Sequence, residues 1–224
     1  MQKLLCLLLL FFTRAAYAQQ NPYSLKIIST KEAYTASISA DSNNRLVEIR
    51  KAIPSIRLDI RYATKNNFTR RVMYPEARAF ARLPVVKALR VVQQELKPLG
   101  LGLKIFDAYR PYAITLKFYE VATDKAFVAD PAKGSKHNRG CAVDLTIVDL
   151  KTGKEIQMAT GYDSFSPKAA AAYPNVPEEV RKNRDLLISV MEKHGFRVIE
   201  NEWWHFDFTG WKNYDLMDVS FREI

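Results

Sequence analysis

Hydrophobic positions change period along this chain, and the changes mark its elements. Val85, Val86, Leu89, Val92 and Leu96 recur at three- and four-residue spacing, the stripe of an amphipathic helix. Pro84 suits the first turn of that helix, and Pro98 with Gly100 ends it. Residues 101–108 read as a strand that delivers Tyr109, Arg110 and Pro111 at its end, and a second helix is predicted over 111–122. A third helix is predicted behind residues 175–178, a pattern resembling a capping box; it runs to His194, with Gly195 as its stop. Alternation predicts strands over 56–62 and 141–147, and a closing hairpin of 196–199 with 203–208. Residues 45–49 add a candidate edge strand. Strands with helices between and beside them predict an α+β fold around a mainly antiparallel sheet.

Period two divides the 141–147 strand cleanly. Ala142, Asp144 and Thr146 share one face, and Cys141, Val143, Leu145 and Ile147 share the other. The apolar face seeks the core, so Asp144 is expected to stand on a rigid strand facing a site. Gly140, just before it, permits a tight turn or a close backbone approach.

The start of the chain follows neither period. Lys3 gives a short positive region, residues 4–12 carry no polar side chain apart from the thiol of Cys6, and Ala16, Tyr17 and Ala18 form an A-x-A cleavage site. These features predict a secretory signal peptide over 1–18, too short to span a membrane. Cys6 lies inside the apolar run, which argues against a lipoprotein anchor. The mature protein is then expected to begin at Gln19, outside the cytoplasm and periplasmic or otherwise exported. Residues 19–54 read as an N-terminal lead-in, in part disordered over the polar 19–44, and residues 55–224 as one domain.

Charge and cysteine content sharpen this picture. Loss of Lys3 and Arg14 lowers the net charge from +10 to about +8. Such an excess suits anionic surroundings such as cell-wall polymers. Nucleic acid is a poor partner, because the address is wrong and no basic cluster is interleaved with aromatics. Stable membrane insertion is not expected. Only Cys141 remains after cleavage, so no intramolecular disulfide can form; on the apolar strand face it reads as core.

The chemistry concentrates in two segments. Only three histidines occur; His137 and His205 lie in residues 135–144 and 202–205, while His194 falls in a last helical turn and is not expected to bind metal. His137, Asp144 and His205 suit one zinc ion whose fourth position stays open for water, with Glu202 as the acid–base group. The ligand types also suit other divalent ions. Glu202 and His205 stand three apart and would face opposite ways on a regular strand, so the site requires a turn or a bulge there. Arg110, taken alone, reads as a surface salt bridge.

The pattern S-x-H-x-x-G-x-A-x-D over 135–144, followed by E-x-W-H over 202–205, resembles the zinc D-alanyl-D-alanine dipeptidases, the vancomycin-resistance type of the D,D-peptidase superfamily. Asp107, Tyr109, Arg110 and Pro111 match it too, as do Arg61, Tyr62, Ala63 and Thr64 with Asn67, Phe68 and Thr69. The likeness runs from about residue 55 to 211. It implies zinc-dependent hydrolysis of D-alanyl-D-alanine-type dipeptides with a metal-bound water as nucleophile. It further implies that Arg110 stabilises the transition state, Ser135 contacts substrate and Asp163 holds the substrate's ammonium group. On residues alone Asp163 reads equally as a turn residue or a cap before Ser164.

Two features depart from the resistance enzymes: a shorter segment between Arg110 and His137, and the export signal, since those enzymes act in the cytoplasm. The departures point to trimming or scavenging of dipeptides released from peptidoglycan. Two other readings share the zinc set: a D,D- or L,D-carboxypeptidase acting on stem peptides, and a zinc-stabilised binding module without activity.

Overall fold

The computed structural model describes residues 21–224. The predicted signal peptide and its cleavage site lie outside the described residues.

A five-stranded sheet organises the molecule, in the order β3-β5-β6-β8-β7. Its strands are β3 (Arg57–Leu58), β5 (Leu101–Asp107), β6 (Ala142–Asp149), β7 (Phe196–Ile199) and β8 (Glu202–Phe208). Only β3 and β5 pair in parallel; every other pairing in this sheet is antiparallel. The α+β class and the antiparallel bias expected from the sequence are what the chain adopts. β6 sits at the centre and is buried from Ala142 to Val148. The alternation in 141–147 therefore does not separate a wet face from a dry one. It separates the core from a covered site.

One face is packed by helices α3 (Leu83–Leu96) and α5 (Glu178–Lys193). In α3 the buried side chains are the predicted stripe of Val85, Val86, Leu89, Val92 and Leu96, with Gln93 beside them. Each such aliphatic burial contributes roughly 1.5–3 kcal/mol, which outweighs any local preference for another structure. Helix α4 (Tyr112–Val121) follows β5 directly. Helix α5 ends at Gly195, whose φ of 87° is a conformation that favours glycine. Its start corrects the expected capping box. Pro177 occupies the N-cap with no side-chain bond, which leaves Asn175 outside the helix and Glu178 in its first position.

The N-terminal lead-in is also corrected. Residues 27–28 form β1 (Ile27–Ile28), parallel to β9 (Leu216–Met217), and α1 (Lys31–Ala40) follows. Thr30 caps α1 by accepting from Ala33 N at 3.2 Å. Within α1 only Tyr34 is buried, and its hydroxyl accepts from Leu46 N at 2.8 Å. A helix with a single core anchor shows almost no periodicity, so the sequence pattern could not reveal it. Strand β2 (Leu46–Glu48) pairs with β4 (Phe80–Arg82), and the short helix α2 (Ile49–Ala52) leads on. The strand expected over 56–62 shrinks to β3, because Arg61–Ala63 turns into a 3₁₀ helix.

Candidate active site

Three neighbouring strands present the site as a row. Asp144 of β6 stands directly opposite His205 of β8 on one side and Asp107 of β5 on the other. The second pairing depends on a bulge between Ile105 and Asp107, which shifts Asp107 into register with Asp144. A further irregularity lies between β7 and β8: Val198 pairs with Phe206, whereas Ile199 pairs with Glu202. This bulge is the device that the odd spacing of Glu202 and His205 required.

His137 arrives from outside the sheet, on a 3₁₀ turn (His137–Arg139) ahead of β6. Asn138 fastens that turn to the end of β5: its Nδ2 donates to Arg110 O at 2.9 Å and to Thr115 Oγ1 at 2.8 Å, and its Oδ1 accepts from Ser135 N at 2.8 Å. Gly140 closes the turn with φ 67°, and a Cβ there would meet Leu46 Cδ2 at 2.6 Å. The conformation favours glycine, and a Cβ would push the Leu46 side chain aside, in line with the turn the sequence suggested.

His137, Asp144 and His205 each bring one ligand atom, and these lie within 4.8 Å of one another. His137 Nε2 is 3.2 Å from His205 Nδ1, and Asp144 Oδ1 lies 3.4 Å and 3.0 Å from those two nitrogens. The outer bonds fix the tautomers. His137 Nδ1 is 2.7 Å from the carbonyl of Ala108, which can only accept, so this nitrogen carries the proton. His205 Nε2 likewise faces the Asp207 carboxylate at 2.9 Å. Two ring lone pairs then point at a buried Asp144 Oδ1 that receives no hydrogen bond. Three acceptors converging with no donor among them fit a divalent cation. The convergence favours positive charge in any form: burial opposes a protonated His205, yet the nearby Asp144 and Asp207 carboxylates push it up to about 10. Burial likewise opposes the Asp144 anion, but His137 and His205 hold its carboxyl well below the usual range.

The remaining expected residues surround this cluster. Glu202 Oε2 is 3.8 Å from His205 Nδ1, and burial pushes its carboxyl up to about 7. Arg110 is not a surface ion pair: it is buried, with Nε and Nη2 donating to Asp107 Oδ2 at 3.0 Å and 2.7 Å. Tyr74 Oη donates to the other oxygen of Asp107 at 2.7 Å, and Arg110 lies 4.6 Å over the Phe118 ring. Ser135 is buried, and its Oγ accepts from His137 N at 3.2 Å, which leaves its own proton free. Asp163 adopts the turn conformation (φ 60°) and lines the same cavity. Its Oδ1 accepts from Tyr62 Oη at 3.1 Å, and its Oδ2 is buried without a donor. Burial and the nearby Asp144 charge raise its carboxyl well above the ordinary range. All seven expected residues line this cavity of about 460 Å³. His194 lies elsewhere, 2.6 Å from Glu95.

Four contacts escaped the sequence reading. Tyr62 supports Asp163, and Tyr162 Oη donates to Asp144 Oδ2 at 3.0 Å. Asp107 orients Arg110, and Asp207 orients His205. Asp207 was within reach, since a residue two beyond His205 shares its strand face. Tyr62 comes from a 3₁₀ helix where the alternation suggested a strand, and Tyr162 from a loop without a periodic signature.

An α+β domain with two histidines and an aspartate converging beside a half-buried glutamate and a buried arginine has the equipment of a metallopeptidase. The chain belongs to the D-ala-D-ala dipeptidase family of peptidases, whose profile matches residues 42–221. It is 33% identical over 176 residues to a D-alanyl-D-alanine dipeptidase of Escherichia coli (strain K12), covering 79% of this chain and 91% of that protein. A D-alanyl-D-alanine dipeptidase of Enterococcus faecalis (strain ATCC 700802 / V583) is 28% identical over 183 residues, covering 73% and 91%. Among solved structures, VanYB in complex with D-alanine-D-alanine aligns over 60% of this chain and 75% of that one, at 13% identity and TM-score 0.38. A likeness that distant carries no argument.

Proposed function

We propose that this protein is a zinc-dependent, exported dipeptidase that hydrolyses D-alanyl-D-alanine-type dipeptides. The observation that carries the reading is the convergence of the His137, Asp144 and His205 acceptors, 3.0–3.4 Å apart, beside Glu202. One zinc ion held by these three groups supplies Lewis acidity, polarising a carbonyl and acidifying water near neutral pH.

The chain's own residues do the rest. Glu202 takes a proton from the attacking water and delivers it to the leaving nitrogen. Hydroxide adds to the carbonyl carbon, the C–N bond breaks, and two free amino acids result. Arg110, kept in place by Asp107 and Tyr74, stabilises the negative charge that develops on the carbonyl oxygen. Asp163 anchors the free ammonium of the substrate, whose positive charge and N–H donors match the unpartnered Oδ2. Ser135 donates its free hydroxyl proton to the substrate. An ammonium pocket at the end of a small cavity favours free dipeptides over stem peptides of intact wall.

The signal-like residues 1–18 support export, and an exported enzyme of this kind meets dipeptides released from peptidoglycan. Mass spectrometry of the mature protein from the cell envelope is expected to find Gln19 at its N-terminus; an intact Met1 would contradict export by cleavage. The catalytic reading is tested by chelating the purified protein and titrating zinc back. D-alanyl-D-alanine hydrolysis is expected to vanish and to return at one ion per chain. Undiminished turnover in the chelated protein would overturn it.

A further inference from the structure

The cavity is electrically lopsided. Its inner part carries Asp144, Asp163 and Glu202, and the guanidinium there, Arg110, is already bonded to Asp107. Its other cations, Lys133, Lys136 and Arg139, all come from the 133–139 segment. A free dipeptide is a zwitterion, so a site that binds its ammonium at one end must also accommodate a carboxylate. From the scissile carbonyl carbon to the carboxylate carbon is only three bonds, roughly 4 Å. The counter-charge must therefore stand close to the metal cluster, on the side away from Asp163.

Contacts across the site order the groups. Tyr162, next to Asp163, bonds Asp144; Asp144 faces His205; His205 bonds Asp207; and Asp207 Oδ2 is 2.9 Å from Lys136 Nζ. Asp163 and Lys136 thus mark opposite ends of one chain of contacts, with Asp144 and His205 between them. The other two cations fit the task poorly. Lys133 is 84% exposed and 3.9 Å from Asp130, so water screens it. Arg139 donates to the Tyr214 carbonyl. Lys136 is 37% exposed and steadied by Asp207 and by the Trp211 ring at 5.4 Å, and it stands between Ser135 and His137 in sequence. An ammonium has three donors, and the Asp207 bond uses one.

We infer that Lys136 is a specificity-determining residue that binds the C-terminal carboxylate of the dipeptide, so that Asp163 and Lys136 together measure a zwitterion one peptide bond long. The inference rests on the dipeptidase reading above and deepens it. It confines substrates to peptides with both termini free, and it assigns the two charges to opposite ends of the cavity. It also explains why a lysine coupled through Asp207 to His205 is worth placing beside the metal cluster: the same residue faces substrate and cluster.

The test compares D-alanyl-D-alanine with D-alanyl-D-alaninamide on the zinc-loaded wild type, Lys136→Met and Lys136→Arg, with zinc affinity measured for each. The wild type is expected to prefer the acid by about ten- to a hundredfold in kcat/KM, the range of a charge-assisted hydrogen bond. Lys136→Met should lose that factor on the acid, mainly through KM, and lose distinctly less on the amide, so that the preference for the acid collapses. Lys136→Arg should recover part of the preference. Equal losses on acid and amide in Lys136→Met, with weakened zinc binding, would overturn the inference and leave Lys136 a prop for Asp207. A wild type that cleaves both substrates equally well would overturn it while leaving the dipeptidase reading intact. Failure of the zinc-loaded wild type on both substrates would remove that reading and the inference with it.

Discussion

Glu202 and His205 stand three residues apart on β8, yet Glu202 Oε2 lies 3.8 Å from His205 Nδ1. On a regular strand the two side chains would leave opposite faces. The shift between the Val198–Phe206 and Ile199–Glu202 pairs turns both toward the same cavity. Sheet pairing is locally sacrificed to bring the Glu202 carboxyl beside His205 Nδ1, and bulges of this kind are frequent at active sites.

Replacement of that acid tests the relationship. Glu202→Gln preserves shape and removes the exchangeable proton. We expect kcat on D-alanyl-D-alanine to fall by roughly 10²- to 10⁴-fold, the usual worth of general acid–base catalysis, with zinc content unchanged. Rate and metal stoichiometry measured on one preparation check both halves.

Asp163 bears on substrate length. Asp163→Asn keeps the Tyr62 bond possible but removes the carboxyl group that meets the ammonium. The expected effect is a rise in KM for the free dipeptide, with kcat/KM down roughly ten- to a hundredfold. Steady-state kinetics show whether the loss lies in KM, as an anchoring role requires, or only in kcat.

Asp107 bears on Arg110. Asp107→Asn leaves a buried guanidinium without its carboxylate, a change that costs on the order of 3–5 kcal/mol in stability. Tyr74→Phe removes only the Tyr74 hydroxyl that bonds Asp107 and should cost about 1 kcal/mol. Both should lower kcat, because Arg110 loses its aim. Urea unfolding and kinetics on the two variants separate stability from positioning.

How much of this was readable beforehand varies with position. The α3 stripe, β5, β6 and the closing hairpin were legible because each buries a regular face. Cys141 was legible for the same reason, and it is fully buried. His137, Asp144, His205 and Glu202 were legible as a set from residue type, whereas Arg110, Ser135 and Asp163 entered only through the family resemblance; all seven line one cavity. Helix α1 was not, since only Tyr34 anchors it and tertiary contacts decide its state. Tyr62 and Tyr162 were not either: their roles arise where loops meet over the sheet, with Tyr162 stacked on Phe106 at 4.5 Å. The capping pattern before α5 misled because Pro177 takes the cap position itself.

Burial of Cys141 gives a pH prediction. Burial pushes its thiol up to about 12, so the folded state keeps the proton that the unfolded chain releases near its ordinary value of 9.0. The stability from this group is fully present below pH 9 and is lost as pH rises toward 12. Buried Tyr62, Tyr74, Tyr109 and Tyr162 are shifted upward in the same way. Urea midpoints should fall from pH 8.5 to 10.5, and a Cys141→Ala variant should show a shallower decline; parallel declines would exclude Cys141 as a contributor.

The most direct test of the central claim is the turnover of three substrates by the zinc-loaded protein: D-alanyl-D-alanine, its N-acetyl derivative and a stem pentapeptide. The account predicts hydrolysis of the free dipeptide alone, because Asp163 requires an ammonium group at that end of the cavity. Efficient cleavage of the blocked dipeptide or the pentapeptide would contradict it and make the protein a carboxypeptidase built on the same metal site.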